Sequence, residues 1–132
     1  MKNAITSQYQ ATLAMLEQTV TKCPDSLWAS QEPTNPFWHV AYHALFYTHL
    51  YLQPTERDSV PWPKQRADYQ FLGATPWPPH KKPAIGEPYS RADVLEYLAF
   101  CRENIHGWVG VLALDDESGF AWLPMNKLEL QF

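Results

Sequence analysis

Ile5, Tyr9, Leu13, Leu16 and Val20 recur at spacings of four, four, three and four residues. At 3.6 residues per turn these positions line one stripe of a helix running to about Lys22, and Pro24 stops it. The short stretch Asp25 to Trp28 is then expected to tuck its indole against the other helices. A second helix is expected from Asn35, a good N-cap, with Pro36 at the first helical position, to about Gln53, before Pro54. It is apolar nearly all round: Trp38, Ala41, Leu45 and Leu52 on one side, Phe46, Tyr47 and Leu50 on the other. Such a helix is covered on most sides, as a central member of a bundle would be.

Residues 54–89 hold eight of the twelve prolines, so most of this segment can be neither regular helix nor central strand. It reads as a long connection, with a short helix expected over Arg66 to Leu72 closed by Gly73, and with Trp62 and Trp77 pinning it to the bundle. Ser90-Arg-Ala-Asp93 is close to a capping box and opens a third long helix. Val94, Tyr97, Leu98, Cys101, Ile105, Trp108, Val109 and Leu112 keep one face through to about Ala113. Pro124 to Phe132 reads as the first turns of a fourth helix, with Leu123, Leu128 and Leu130 apolar. Without a convincing strand-like alternation, the pattern predicts an all-α bundle in one domain over 1–132.

Composition narrows the function classes. A formal charge of -4 with no basic run longer than Lys81-Lys82 leaves no electrostatic footprint for nucleic acid. Cys23 and Cys101 form no CxxC pattern, which argues against a disulfide framework or a thiolate zinc site and suits a reducing compartment. The N-terminus lacks a signal-peptide core, and the longest apolar segment, Val40 to Leu52, is interrupted by His43, Thr48 and His49. A soluble, cytoplasmic protein without a membrane partner is expected.

The chemistry sits in NPFWHVAYHALFYTHLYLQP, residues 35–54, which carries three of the five histidines. At 100° per residue, His39 lies about 40° to one side of His43 and Tyr47 about 40° to the other, whereas His49 falls about 120° away. An H-x3-H pair on one helix can present two imidazoles to one metal, but it recurs by chance and needs a structural context. Val40 stands where the zinc metalloproteases place their glutamate, so that chemistry is excluded. The competing reading is structural: His39 partly solvated at the helix start, and His43 bonded within the core to a tyrosine or a carbonyl. His106 lies off the apolar stripe of its helix and His80 sits among prolines, so both are expected at the surface.

The run Pro36-Phe-Trp-His-Val-Ala-Tyr-His43-Ala-Leu-Phe-Tyr47, with Leu72-Gly73, Trp77-Pro-Pro79, Tyr89-Ser90-Arg, Tyr97-Leu98, Trp122-Leu-Pro124 and Leu128-Glu-Leu130, resembles the DinB/YfiT-like superfamily. The likeness covers nearly the whole chain from about Ile5. It implies an up-down-down-up four-helix bundle with one long crossover, for which residues 54–89 are suited. It also implies a divalent metal, nickel or zinc, held by one histidine on the second long helix and an H-x3-H pair on the fourth. His43 matches the first of these ligands; His39 and Tyr47 would stand behind it, and His49 has no counterpart. The fourth-helix pair would fall beyond Phe132. The expectation is therefore a shortened, inactive version or a site completed by a second subunit, with an exposed apolar groove favouring a homodimer. The implied activity is metal-dependent hydrolysis or thiol transfer on a small molecule. The alternative is a non-catalytic helical dimerisation or interaction module with an incomplete metal site, and a haem or small-aromatic binder is a third.

Overall fold

The computed structural model describes residues 1–32 and 34–131. Three long helices make its body: α1 (Lys2–Lys22), α3 (Phe37–Tyr51) and α4 (Arg91–Val111). The single turns α2 (Asp25–Trp28) and α5 (Lys127–Leu130) complete the helices, with a 3₁₀ turn at Glu56–Asp58. Among the described residues there is no strand, only an isolated bridge between Glu117 and Asn126. The expected all-α class therefore holds.

Polar ties at both ends set the direction of the helices. Lys2 Nζ donates to the Gly110 carbonyl at 2.8 Å, and Gln10 Nε2 to that of Arg102 at 3.0 Å. Arg91 reaches the carbonyls of Val20 and Cys23 and pairs with Asp25. The start of α1 thus lies beside the end of α4, and the two are antiparallel. In contrast, Trp38 meets Tyr89 just ahead of α4, the Leu45 carbonyl faces Cys101, and His49 stacks on Trp108. So α3 and α4 run parallel, and the three long helices go up, down, down. Joining parallel neighbours requires a return of one helix length, about 22 Å for fifteen residues, which the proline-rich segment provides.

That segment is packed rather than loose. Trp62 is 3% exposed and lies flat on Tyr97, with centroids 4.5 Å apart and planes 2° from parallel. Tyr69 and Tyr89 are buried beside Trp38 and Tyr42, and Arg66 lies over the Tyr89 ring at 4.3 Å while donating to the Glu87 carbonyl. Trp77, by contrast, is 54% exposed and meets Phe71 edge-on at 5.7 Å, so only the first of the two expected tryptophan pins is buried.

Several boundaries differ from expectation. The helix expected over Arg66 to Leu72 is a set of turns, because Asp68 takes a φ of 71°, which an α-helix does not accommodate. Gly73 is accordingly no helix cap. Pro36, not Asn35, caps α3, and its carbonyl receives the N–H groups of His39 and Val40. Ser90 does cap α4 by accepting from the Asp93 N–H, while the Asp93 carboxylate turns to Lys64. The helix expected from Pro124 is confined to the turn Lys127–Leu130, opened by an Asn126/Glu129 capping box; Phe132 lies outside the described residues. That turn buries Lys127, whereas Leu128 and Leu130 are half-buried.

Candidate functional site

The three histidines of α3 end in three environments. His39 is 4% exposed, with its ring stacked on Trp38 at 4.8 Å and Nε2 2.8 Å from the Tyr69 carbonyl. A carbonyl only accepts, so Nε2 carries the proton and donates it. Burial pulls the His39 pKa below its ordinary value, opposed by the Tyr69 carbonyl and reinforced by neighbouring His43. It is a core residue and not the partly solvated one that its place near the helix start suggested.

His43 is half-buried, and its Nδ1 lies 2.7 Å from the Gln70 carbonyl. By the same reasoning Nδ1 is the donor, which leaves the Nε2 lone pair unclaimed. This is the arrangement by which backbone carbonyls orient metal-binding imidazoles. The Tyr47 ring packs against it at 4.8 Å. His80 also donates through Nδ1, to the Thr75 carbonyl at 3.0 Å, but it is exposed, as is His106.

His49 is the residue the sequence undervalued. It is 3% exposed, lies flat on Trp108 at 4.9 Å, and meets Tyr97 and Phe100 edge-on. The Tyr97 hydroxyl lies 2.8 Å from its Nδ1. Burial lowers its pKa, against the opposing effect of the Val60 carbonyl. The available signal was that α3 is apolar nearly all round, so a direction 120° from His43 still faces protein, and a buried tyrosine there needs a partner for its hydroxyl.

These two lowered pKa values give acid sensitivity. His39 and His49 protonate more readily in the unfolded chain, so the stability of their neutral forms is complete above about pH 6.5 and is lost as pH falls through that value toward the lowered folded pKa. The slope is at most about 1.4 kcal/mol per pH unit for each histidine. Urea midpoints compared at about pH 7.5 and about pH 5 should fall on the acid side. His39→Gln and His49→Gln should each flatten the fall; an unchanged slope in both would rule these histidines out as its cause.

A cleft of about 340 Å³ opens between the second half of α3 and the crossover. Tyr47, His49, Glu56, Phe71, Trp77 and Trp122 line it, and Gln70, whose carbonyl holds His43, lies on its wall. The volume is within the range usual for small-molecule sites. Burial raises the pKa of the Tyr47 hydroxyl, with smaller contributions from Tyr51 and the Glu56 carboxylate. A second hollow of about 640 Å³ lies by Cys23, Leu27, Phe37 and Val40; its wall is mainly apolar and it offers fewer converging polar groups.

Among the described residues, no three His, Cys, Asp or Glu side chains come together as a metal-holding group. His43 therefore stands in no group of three such side chains among the described residues. Cys101 is fully buried, its thiol pushed up to about 12 by burial, so it is not poised as a nucleophile. No helix among the described residues is long and apolar enough to cross a membrane. No protein-family model, curated protein or solved structure matches the chain.

Proposed function

We propose that this chain is a DinB/YfiT-like helical bundle protein that works on a small molecule as a metal-dependent hydrolase or thiol transferase, with His43 as its metal donor. The observation that carries the reading is the Nδ1–H bond of half-buried His43 to the Gln70 carbonyl, which leaves Nε2 free, while its two neighbours Gln70 and Tyr47 line an aromatic cleft. The up-down-down order of the long helices and the long packed crossover agree with the fold this reading requires. Nickel or zinc is the expected metal class, and it would supply Lewis acidity or an activated thiol or water. Among the described residues no group of three His, Cys, Asp or Glu side chains forms around His43, so this reading needs donors in addition to it. Cys101 is buried and Cys23 lines the other hollow, so a thiol reacting at this cleft would belong to the substrate.

The chain's own contribution is positional. The Gln70 carbonyl fixes the imidazole tautomer, the Tyr47 ring limits its rotation, and the cleft lined by these two neighbours has room for a small molecule. Histidine ring C–H signals followed by NMR during substoichiometric nickel(II) addition test the reading. The His43 signal should broaden before those of exposed His80 and His106, and His43→Ala should abolish the earliest binding event. Broadening of His43 no sooner than the exposed histidines, or unchanged metal uptake in His43→Ala, would remove the metal reading.

A further inference from the structure

The walls of the α3–crossover cleft are aromatic on several sides. Tyr47 comes from α3, Phe71 and Trp77 from the crossover, and Trp122 from the segment after α4. Phe71 and Trp77 meet edge-on at 5.7 Å, while the Trp122 indole is tied to the Tyr51 hydroxyl at 3.2 Å, so neighbouring groups steady two parts of the wall. The side chains that line the cleft include one carboxylate, Glu56, and no lysine or arginine. Among the described residues Glu56 is in no ion pair. The remaining titratable groups on the wall are the Tyr47 hydroxyl and His49, whose lowered pKa keeps the imidazole neutral near pH 7.

An aromatic hollow with one unpaired negative charge suits a particular ligand class. The face of an aromatic ring carries negative quadrupole density and attracts a cation held within about 6 Å, most strongly when that cation is poorly hydrated. An anion would meet the aromatic wall and Glu56 with no compensating base. A neutral apolar molecule would fill the hollow but leave the carboxylate unanswered. The chain's net charge of -4 points the same way.

We propose that this cleft binds an organic cation, a substituted or quaternary ammonium group seated among Tyr47, Trp77 and Trp122 with its charge facing Glu56. This goes beyond the metal reading and does not need it: neither His43 nor a bound metal takes part in holding the cation. In a substrate carrying such a group, the cleft would anchor the cationic end while the remainder extends toward His43 along the Gln70 wall.

The test is calorimetric titration of the full chain in EDTA with benzyltrimethylammonium, its neutral isostere neopentylbenzene, and phenylmethanesulfonate. The chelator keeps metal binding out of the readout, so failure here is distinguishable from failure at His43. The cation should bind at one site per chain, about tenfold more tightly than the isostere, with the sulfonate weaker still. Glu56→Gln should weaken the cation by about fivefold and leave the isostere unchanged, while Trp77→Leu and Trp122→Leu should weaken the cation too. Glu56, Trp77 and Trp122 are all exposed, and circular dichroism confirms that each variant is folded before titration. Equal or tighter binding of the isostere or the sulfonate, no effect of Glu56→Gln, or no cation binding at millimolar concentration would each overturn the proposal.

Discussion

Trp62→Ala should cost about 3–5 kcal/mol, the usual range for truncating a fully buried tryptophan. Against a domain stability of roughly 5–15 kcal/mol, that is a large share of the total. The indole is 3% exposed and lies flat on Tyr97 at 4.5 Å, with Tyr89 tilted against it at 5.7 Å. Removing it leaves a cavity between α4 and the crossover. It also loosens a segment with little regular secondary structure of its own, held by side-chain packing and by bonds such as Tyr89 hydroxyl to Lys64 carbonyl at 2.6 Å and Tyr69 hydroxyl to Glu87 carbonyl at 2.8 Å. Trp77→Ala is the control, because Trp77 is 54% exposed and touches mainly Phe71; it should cost under about 1 kcal/mol. Urea midpoints measure both. Equal small effects would mean that the crossover is not docked on Tyr97.

The contrast between these tryptophans bears on what is legible without the structure. Their flanking sequences, Pro-Trp-Pro and Pro-Trp-Pro-Pro, are nearly alike, and both read as pins. Which one reaches the core depends on a facing tyrosine thirty-five residues downstream of Trp62, and no local pattern carries that. The long helices are legible because each has an apolar stripe and clear punctuation: Pro24 after α1, Pro36 before α3, Ser90 before α4. The false helix at Arg66 to Leu72 shows the limit of that signal. Its propensity is acceptable, but tertiary structure uses the Tyr69 and Gln70 carbonyls to hold His39 and His43, with Asp68 left-handed between the turns.

The candidate site is legible to a similar degree. Helical spacing and resemblance single out His43 and Tyr47, and their rings are in contact. The partner that orients His43, a backbone carbonyl twenty-seven residues away, has no sequence signature. Spacing alone sets His49 aside for pointing away from His43, although the same helical geometry aims it at Tyr97 and Trp108. Glu56 and Trp122 reach one cleft from segments with no shared periodicity, which is why the cleft needed coordinates.

Gly119→Ala should destabilise the chain by about 3 kcal/mol, through backbone strain and overpacking together. Gly119 has a φ of 83°, and a Cβ built there would lie 2.0 Å from the Pro54 carbonyl oxygen. That oxygen has little room to retreat, since it also accepts from Lys127 Nζ at 2.6 Å, and the same ammonium donates to the Ser118 carbonyl at 2.6 Å. Lys127 is 5% exposed, so its charge depends on these carbonyls for solvation, and burial already lowers its pKa. Moving Pro54 aside to admit a methyl group would therefore disturb a buried cation as well as the end of α3. Gly107 makes the opposite case: it lies within α4, and a methyl group added there would meet nothing within 4 Å. Gly107→Ala should stabilise by about 0.5–1 kcal/mol, since alanine loses less backbone freedom in a helix. Thermal melts of the two variants should thus shift in opposite directions from the same chemical change. An unchanged or raised melting temperature for Gly119→Ala would show that the Gly119 turn is not clamped between Pro54 and Lys127.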